Sequence, residues 1–108
     1  YAGAFPTWLA PVQAVVIPIA DRHMDYARLV EKKLRDRGIR VEVDGRSERM
    51  NLKIRQAQLQ KVPFMLVVGD KEVAAGAVAV RQRSGQDLGS RPLEEALGLI
   101  GDAIESRT

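Results

Sequence analysis

Val62-Pro63-Phe64-Met65-Leu66-Val67-Val68-Gly69-Asp70-Lys71-Glu72 is the stretch whose reading decides the fold. Up to Val68 it carries no charged side chain and is rich in β-branched and large apolar residues, the pattern of a strand buried on both faces. The apolar run stops at Gly69 and gives way at once to Asp70, Lys71 and Glu72. A central strand thus ends by delivering a carboxylate to the rim of its sheet. Nine residues after Glu72, Arg81 in Val78-Ala79-Val80-Arg81 brings a guanidinium on the next strand. A fork donor beside a carboxylate at a sheet edge suits the hydrogen-bonding edge of a planar polar ligand such as a nucleobase.

Working outward, the segment upstream of Val62 supplies two strands and two helices. Residues 13–19 form a β-rich run after a lead-in punctuated by Pro6 and Pro11. Asp21 is placed to cap a helix, and Asp25 lies where the helix dipole favours negative charge. Met24, Ala27, Val30 and Leu34 recur at helical spacing, and Gly38 fits the position just past the last turn. Ile39, Val41 and Val43 alternate with Arg40 and Glu42 as a second strand. Ser47 is placed to cap a second helix through Met50, Ile54 and Ala57 to about Lys61. Two βαβ crossovers follow from this order, hence a parallel core.

Downstream, Ala75-Gly76 leaves too little chain for a helical crossover. The strand at 78–83 is therefore expected to run antiparallel, at the sheet's edge. Ser84-Gly85 is a further turn. A last helix over residues 92–105 sets Leu93, Leu97, Ile100 and Ile104 on one face, with Pro92 as its first residue. The expectation is an α/β domain in three layers, a mixed sheet of four or five strands with three helices.

The chain has 108 residues, 45% hydrophobic and 29% charged, which fits one globular domain rather than a disordered chain. Its net charge of +3 permits a polyanionic partner without requiring one. The absence of cysteine and the single histidine, His23, exclude disulfides, thiolate metal sites and histidine clusters. No apolar run approaches the ~20 residues that span a bilayer, and the uncharged first twenty residues lack the basic start of a secretory signal.

Basic residues concentrate around the second helix. Arg46, Arg49 and Lys53 fall at i, i+3 and i+7, with Arg55 and Lys61 following and Glu48 the only acid among them. Phosphate attraction and a solvated helix face both account for that stripe. Glu72 and Arg81 likewise admit an ordinary surface ion pair or the reading of a splayed-out guanine. Asp21, Asp44 and Asp70 sit at strand C-termini, but they double as cap and turn residues, and no phosphate-binding glycine motif accompanies them. Trp8, Phe5, Tyr1 and Phe64 are spaced for packing rather than for a stacking platform. His23 reads as a surface or capping residue, and no nucleophile–base or metal constellation supports a catalytic site.

Several of these motifs, in order, resemble the C-terminal anticodon-binding domain of bacterial-type threonyl-tRNA synthetases. They are Phe5-Pro6-Thr7-Trp8-Leu9-Ala10-Pro11-Val12-Gln13, Gly38-Ile39-Arg40-Val41, Lys53-Ile54-Arg55, Val62-Pro63-Phe64-Met65-Leu66-Val67, Gly69-Asp70-Lys71-Glu72-Val73, Val78-Ala79-Val80-Arg81 and Asp87-Leu88-Gly89-Ser90. The resemblance implies a five-stranded mixed sheet with three helices, residues 1–12 as the lead-in from a catalytic domain, and 13–108 as the domain itself. It implies that Glu72 and Arg81 read the middle guanine of a threonine tRNA anticodon, and that Ser47 and Lys61 assist at the neighbouring base. Ser47 stands where the family has asparagine and Lys61 where it often has arginine; Asn51 replaces a common glycine.

Arg46, Lys53, Arg55 and Arg83 are candidate phosphate contacts. The resemblance further implies a cytoplasmic, homodimeric parent enzyme that charges threonine tRNA using ATP, magnesium and zinc, none of them bound by this segment. A docking or dimerisation module built on the same fold, without RNA binding, is the alternative.

Overall fold

The computed structural model describes residues 6–46 and 48–106. In chain order it contains β1 (Ala14–Pro18), α1 (Met24–Asp36), β2 (Val41–Val43), α2 (Met50–Leu59), β3 (Phe64–Val68), α3 (Asp70–Ala75), β4 (Ala77–Gln82), β5 (Asp87–Pro92) and α4 (Leu93–Glu105). Short 3-10 turns at Thr7–Leu9 and Asp21–His23 precede β1 and α1. The strands form one sheet in the order β2-β1-β3-β4-β5. β1 pairs in parallel with β2 and with β3, whereas β4 runs antiparallel to both β3 and β5.

Strand alternation sorts the core into two halves. Ala14, Val16, Phe64, Leu66, Val68, Val78 and Val80 face α1 and α4, which contribute Ala27, Val30, Leu34, Ala96, Leu97 and Ile100. Val15, Ile17, Met65 and Val67 face the other way, toward Ile54 and Ala57 of α2. Every residue of β3 is buried, as its uncharged run requires. Burying a side chain such as Leu66 or Ile100 contributes about 1.5–3 kcal/mol. The lead-in is tied to this frame: the Arg40 guanidinium donates to the carbonyls of Ala10 and Trp8, and Gln13 donates to Thr7.

The mixed sheet with a parallel βαβαβ core matches the expectation, and three of its details are corrected. A fourth helix, α3, lies between β3 and β4, so the carboxylate of Glu72 sits in a helix rather than on a strand end. At six residues α3 is too short to display a period, although Gly76 closes it at φ 64°, a left-handed conformation suited to glycine. The edge strand is β5, not β4; Gly89 at φ 79° and a register shift at Val80/Arg81 disguise its alternation. Finally, Pro92 caps α4 from the end of β5 instead of starting the helix; the N-cap of α2 is Arg49. Ser47, Tyr1 and Phe5 lie outside the described residues.

Candidate nucleic-acid interface

Two helices close one face of the sheet, and α2 alone covers the other, over β1 and β3. The α2 side of β4 and β5 is therefore left uncovered. Arg81 belongs to that side: it lies directly opposite Met65, which packs beneath α2, and two residues beyond Ala79, which joins the same cluster. Its side chain is 37% exposed and, among the described residues, its guanidinium forms an ion pair only with Asp87, at a loose 3.5 Å.

The α2 flank nearest this face follows from helical spacing. Lys53, Gln56 and Gln60 line a cleft of about 280 Å³ with Glu42 and Val43 of β2. Asn51, Arg55 and Gln58, at i, i+4 and i+7, occupy the opposite flank, toward β3 and β4. Arg55 is exposed. Beyond α2, Lys61 turns the chain at φ 62°, and its carbonyl accepts from Arg83 at 3.2 Å. Arg55, Lys61, Arg81 and Arg83 are thus distributed around one uncovered sheet face. Among the described residues, neither Arg55 nor Lys61 nor Arg49 forms an ion pair with an acid, whereas α1 is laced with such pairs.

Two residues of the predicted basic stripe are placed differently. Lys53 does not join a solvated face: it is 3% exposed, and its Nζ donates to the carbonyls of Asp44 at 3.0 Å and Pro18 at 3.3 Å. Sequence periodicity missed this because a lysine among cations reads as surface, whereas Lys53 adjoins the inward row of Met50, Ile54 and Ala57. Arg46 remains exposed, but its fork lies on Asp44 at 2.8 and 2.7 Å, and its Nη2 also donates to Gln56. The Arg46 bonds hold the Asp44 carboxyl below the usual carboxylate range.

Among the described residues Glu72 and Arg81 form neither an ion pair nor a hydrogen bond with each other. Arg81 is opposite Met65, four residues before Gly69 along β3, a span of about 13 Å at the usual strand rise. Glu72 occupies the third position of α3, and its Oε1 accepts from the Gly69 N–H at 2.9 Å, half of a capping box. Among the described residues its other oxygen forms no hydrogen bond. Since no fully buried side-chain oxygen among the described residues lacks a partner, Oε2 touches solvent. The carboxylate is thus held by one oxygen and open at the other. Burial, with the nearby Glu72 charge second, raises the Tyr26 phenol, whose hydroxyl donates to Ala77.

His23 is buried, not a surface residue, although it does cap: Nδ1 accepts from the Ala20 N–H at 3.1 Å. With Nδ1 accepting, Nε2 carries the proton and donates to Asp70 at 2.6 Å. Arg22 forks onto the same carboxylate at 2.9 and 2.8 Å. Arg22, then His23, hold Asp70 well below the usual carboxylate range. Asp44 and Asp70 thus each face arginine, and among the described residues no group of three or more His, Asp or Glu gathers that fits a metal ion. No helix of the described residues is long and apolar enough to cross a membrane.

A family model described as an anticodon binding domain matches residues 13–102. Over 107 residues, 99% of this chain, it is 56% identical to the threonine–tRNA ligase of Nocardioides sp., and it is equally identical over its full length to that of Clostridium botulinum. The chain spans about one sixth of these curated relatives, 16% and 17% of their lengths. The RNA binding domain of threonyl-tRNA synthetase from Cryptosporidium parvum superposes with a TM-score of 0.87 at 32% identity, over 94% of this chain and 26% of that one. Prolyl-tRNA synthetase from the same organism gives 0.84 at 25% identity, over 95% of this chain and 22% of that one. The chain belongs to the anticodon-binding domain family.

Proposed function

We propose that this domain binds the anticodon loop of threonine tRNA on behalf of a threonine–tRNA ligase. The observation that carries the reading is the 56% identity to such ligases across essentially the whole chain. The uncovered sheet face and its ring of cations supply the physical means. Loop phosphates are drawn to Arg55, Lys61 and Arg83, a sequence-independent attraction. Arg81 presents a fork that matches the O6 and N7 acceptors of an unstacked guanine. Glu72, anchored through Oε1, offers Oε2 to the N–H groups of a base at the rim. The gap between Arg81 and Glu72, rather than a contact, is what a base fills. Ser47 and Lys61 assist at the neighbouring base.

In this reading the domain selects and the rest of the parent catalyses. ATP-dependent charging, with its magnesium and zinc, belongs to other parts of the parent, which works as a cytoplasmic homodimer. The domain's share is to favour the tRNA whose acceptor end is then charged with threonine.

The test is binding of the anticodon stem-loop of threonine tRNA, and of versions with the middle guanine replaced, at several salt concentrations. The native chain should prefer the guanine loop, and Arg81→Ala should remove about 1–3 kcal/mol of that preference. A native chain that binds all loops alike contradicts the reading.

A further inference from the structure

We propose that Asp87 is a positioning residue that reserves Arg81 for base edges by withholding it from phosphate. The inference rests on the RNA-binding function proposed above, and it concerns which part of the RNA each cation takes. Among the described residues three arginines pair with aspartates. Two of the pairs are closed forks: Arg22 on Asp70 at 2.9 and 2.8 Å, and Arg46 on Asp44 at 2.8 and 2.7 Å. Arg81 differs. Its Nη2 stands 3.5 Å from Asp87 Oδ2, no hydrogen bond joins the two, and the side chains remain 37% and 54% exposed. The guanidinium thus has a counter-charge beside it, yet its fork is open to a ligand.

The backbone explains why this pair stays open. β4 and β5 pair Val80 with Gly89 and then Arg81 with Asp87, so Leu88 is an extra residue in β5. An unbroken ladder would set Leu88 across from Arg81. The bulge, with Gly89 at φ 79°, instead lets Leu88 pack against the α1–α4 side of the core and puts Asp87 beside Arg81. Asp87 is tethered there, because its Oδ1 accepts from the Gly89 N–H at 2.8 Å. With one oxygen so committed, the carboxylate cannot close as a fork on Arg81 without giving up that bond. Re-aiming a side chain is a recurrent use of bulges at functional sites. A fixed negative charge at this distance offsets most of the pull of Arg81 on an approaching phosphate. The N–H donors stay available to a neutral acceptor edge, whose binding depends on hydrogen-bond geometry rather than net charge. Arg55 and Lys61 form no ion pair among the described residues and keep their full attraction for phosphate.

The test compares the native chain with Asp87→Asn and Asp87→Ala on threonine-tRNA anticodon stem-loops, with the middle guanine kept or replaced, across a salt series. Asp87→Asn removes the charge but retains an oxygen that accepts from Gly89. Both variants should bind every loop more tightly and steepen the salt slope by about 0.7–0.9 as Arg81 takes up a phosphate. Both should also lose about tenfold of the preference for guanine. Adding Arg81→Ala should return the slope to native. A purely structural Asp87 predicts native behaviour in Asp87→Asn, because the turn bond survives. Unchanged slope and preference in that variant overturn the proposal, as does a change that persists once Arg81→Ala is added. If Asp87→Ala loses the turn and does not fold, Asp87→Asn alone decides.

Single-stranded polyuridine, which offers no guanine, separates this claim from the functional one. Asp87→Asn should bind it with a salt slope steeper than native by about 0.7, a difference abolished by Arg81→Ala. If the native chain does not prefer guanine loops but this difference holds, the functional reading falls and the withholding of Arg81 from phosphate stands. Equal polyuridine slopes for the native chain and Asp87→Asn overturn the withholding whatever the loops show. Binding of neither RNA by the native chain overturns both.

Discussion

Helices α1 and α2 lie on opposite faces of one sheet and finish in the same turn, yet their surfaces differ in kind. In α1 the Ile39 and Gly38 N–H groups donate back to the Leu34 and Arg35 carbonyls; in α2 those of Val62 and Lys61 donate to Ala57 and Gln58. Both are Schellman closures. Along α1, Glu31 pairs with Arg28 and Arg35, Lys32 pairs with Asp36, and Arg37 reaches Glu94 on α4. The sequence of α2 contains no acid. Arg28, Lys32 and Arg35 of α1 and Arg37 at its end are paired within the chain, whereas Arg49, Arg55 and Lys61 around α2 form no ion pair among the described residues and are open to an outside anion. Net charge alone conceals this contrast; pairing reveals it.

The contrast concerns surface, not core, and core substitutions can break it. Leu34→Ala under α1 and Ile54→Ala under α2 should each cost about 2–5 kcal/mol in denaturant unfolding. A much smaller cost at Ile54 would mean that α2 is loosely docked and its cations poorly positioned.

Acid titration comes next. Each helix start carries an arginine fork on an aspartate, Arg22 on Asp70 and Arg46 on Asp44. Both carboxyls are held below their ordinary value, so their contribution is complete at neutral pH. It begins to fade as pH falls past the unfolded value of about 3.9 and is lost through the lower folded values. Thermal midpoints of Arg22→Ala and Arg46→Ala should lie below the native one at pH 7 and converge with it in strong acid. Curves that stay parallel would remove the forks from the account.

The smallest effect separates two roles of one residue. Lys61 holds φ 62°, where Gly38 serves α1 at φ 76°. Lys61→Gly should relieve strain and stabilise the fold by about 0.5–1 kcal/mol, while weakening RNA binding through the lost charge. A variant neither stabilised nor weakened in binding would leave Lys61 without either role.

Much of the frame was legible in the sequence because its signals are long or chemically blunt. The uncharged run through Val68 specifies a doubly buried strand, and the spacing of Met24, Ala27, Val30 and Leu34 specifies α1. The missing pieces were short or irregular. α3 has six residues, and β5 carries a bulge and a left-handed glycine. At the site, Arg81 was placed on a strand correctly, but α3 turns Glu72 into a capping residue. Lys53 and His23 show a different limit. Their burial depends on backbone carbonyls and on Asp70, partners distant in sequence that no local pattern announces.

The most direct test of the central claim is stem-loop affinity across a salt series for two matched charge reversals. Arg55→Glu with Lys61→Glu on the α2 side is set against Arg28→Glu with Lys32→Glu on α1. The account predicts that the α2 pair lowers the salt slope by about 0.7–0.9 for each lost phosphate contact and weakens every loop alike, while the α1 pair leaves slope and affinity near native. Equal losses from both pairs would contradict it.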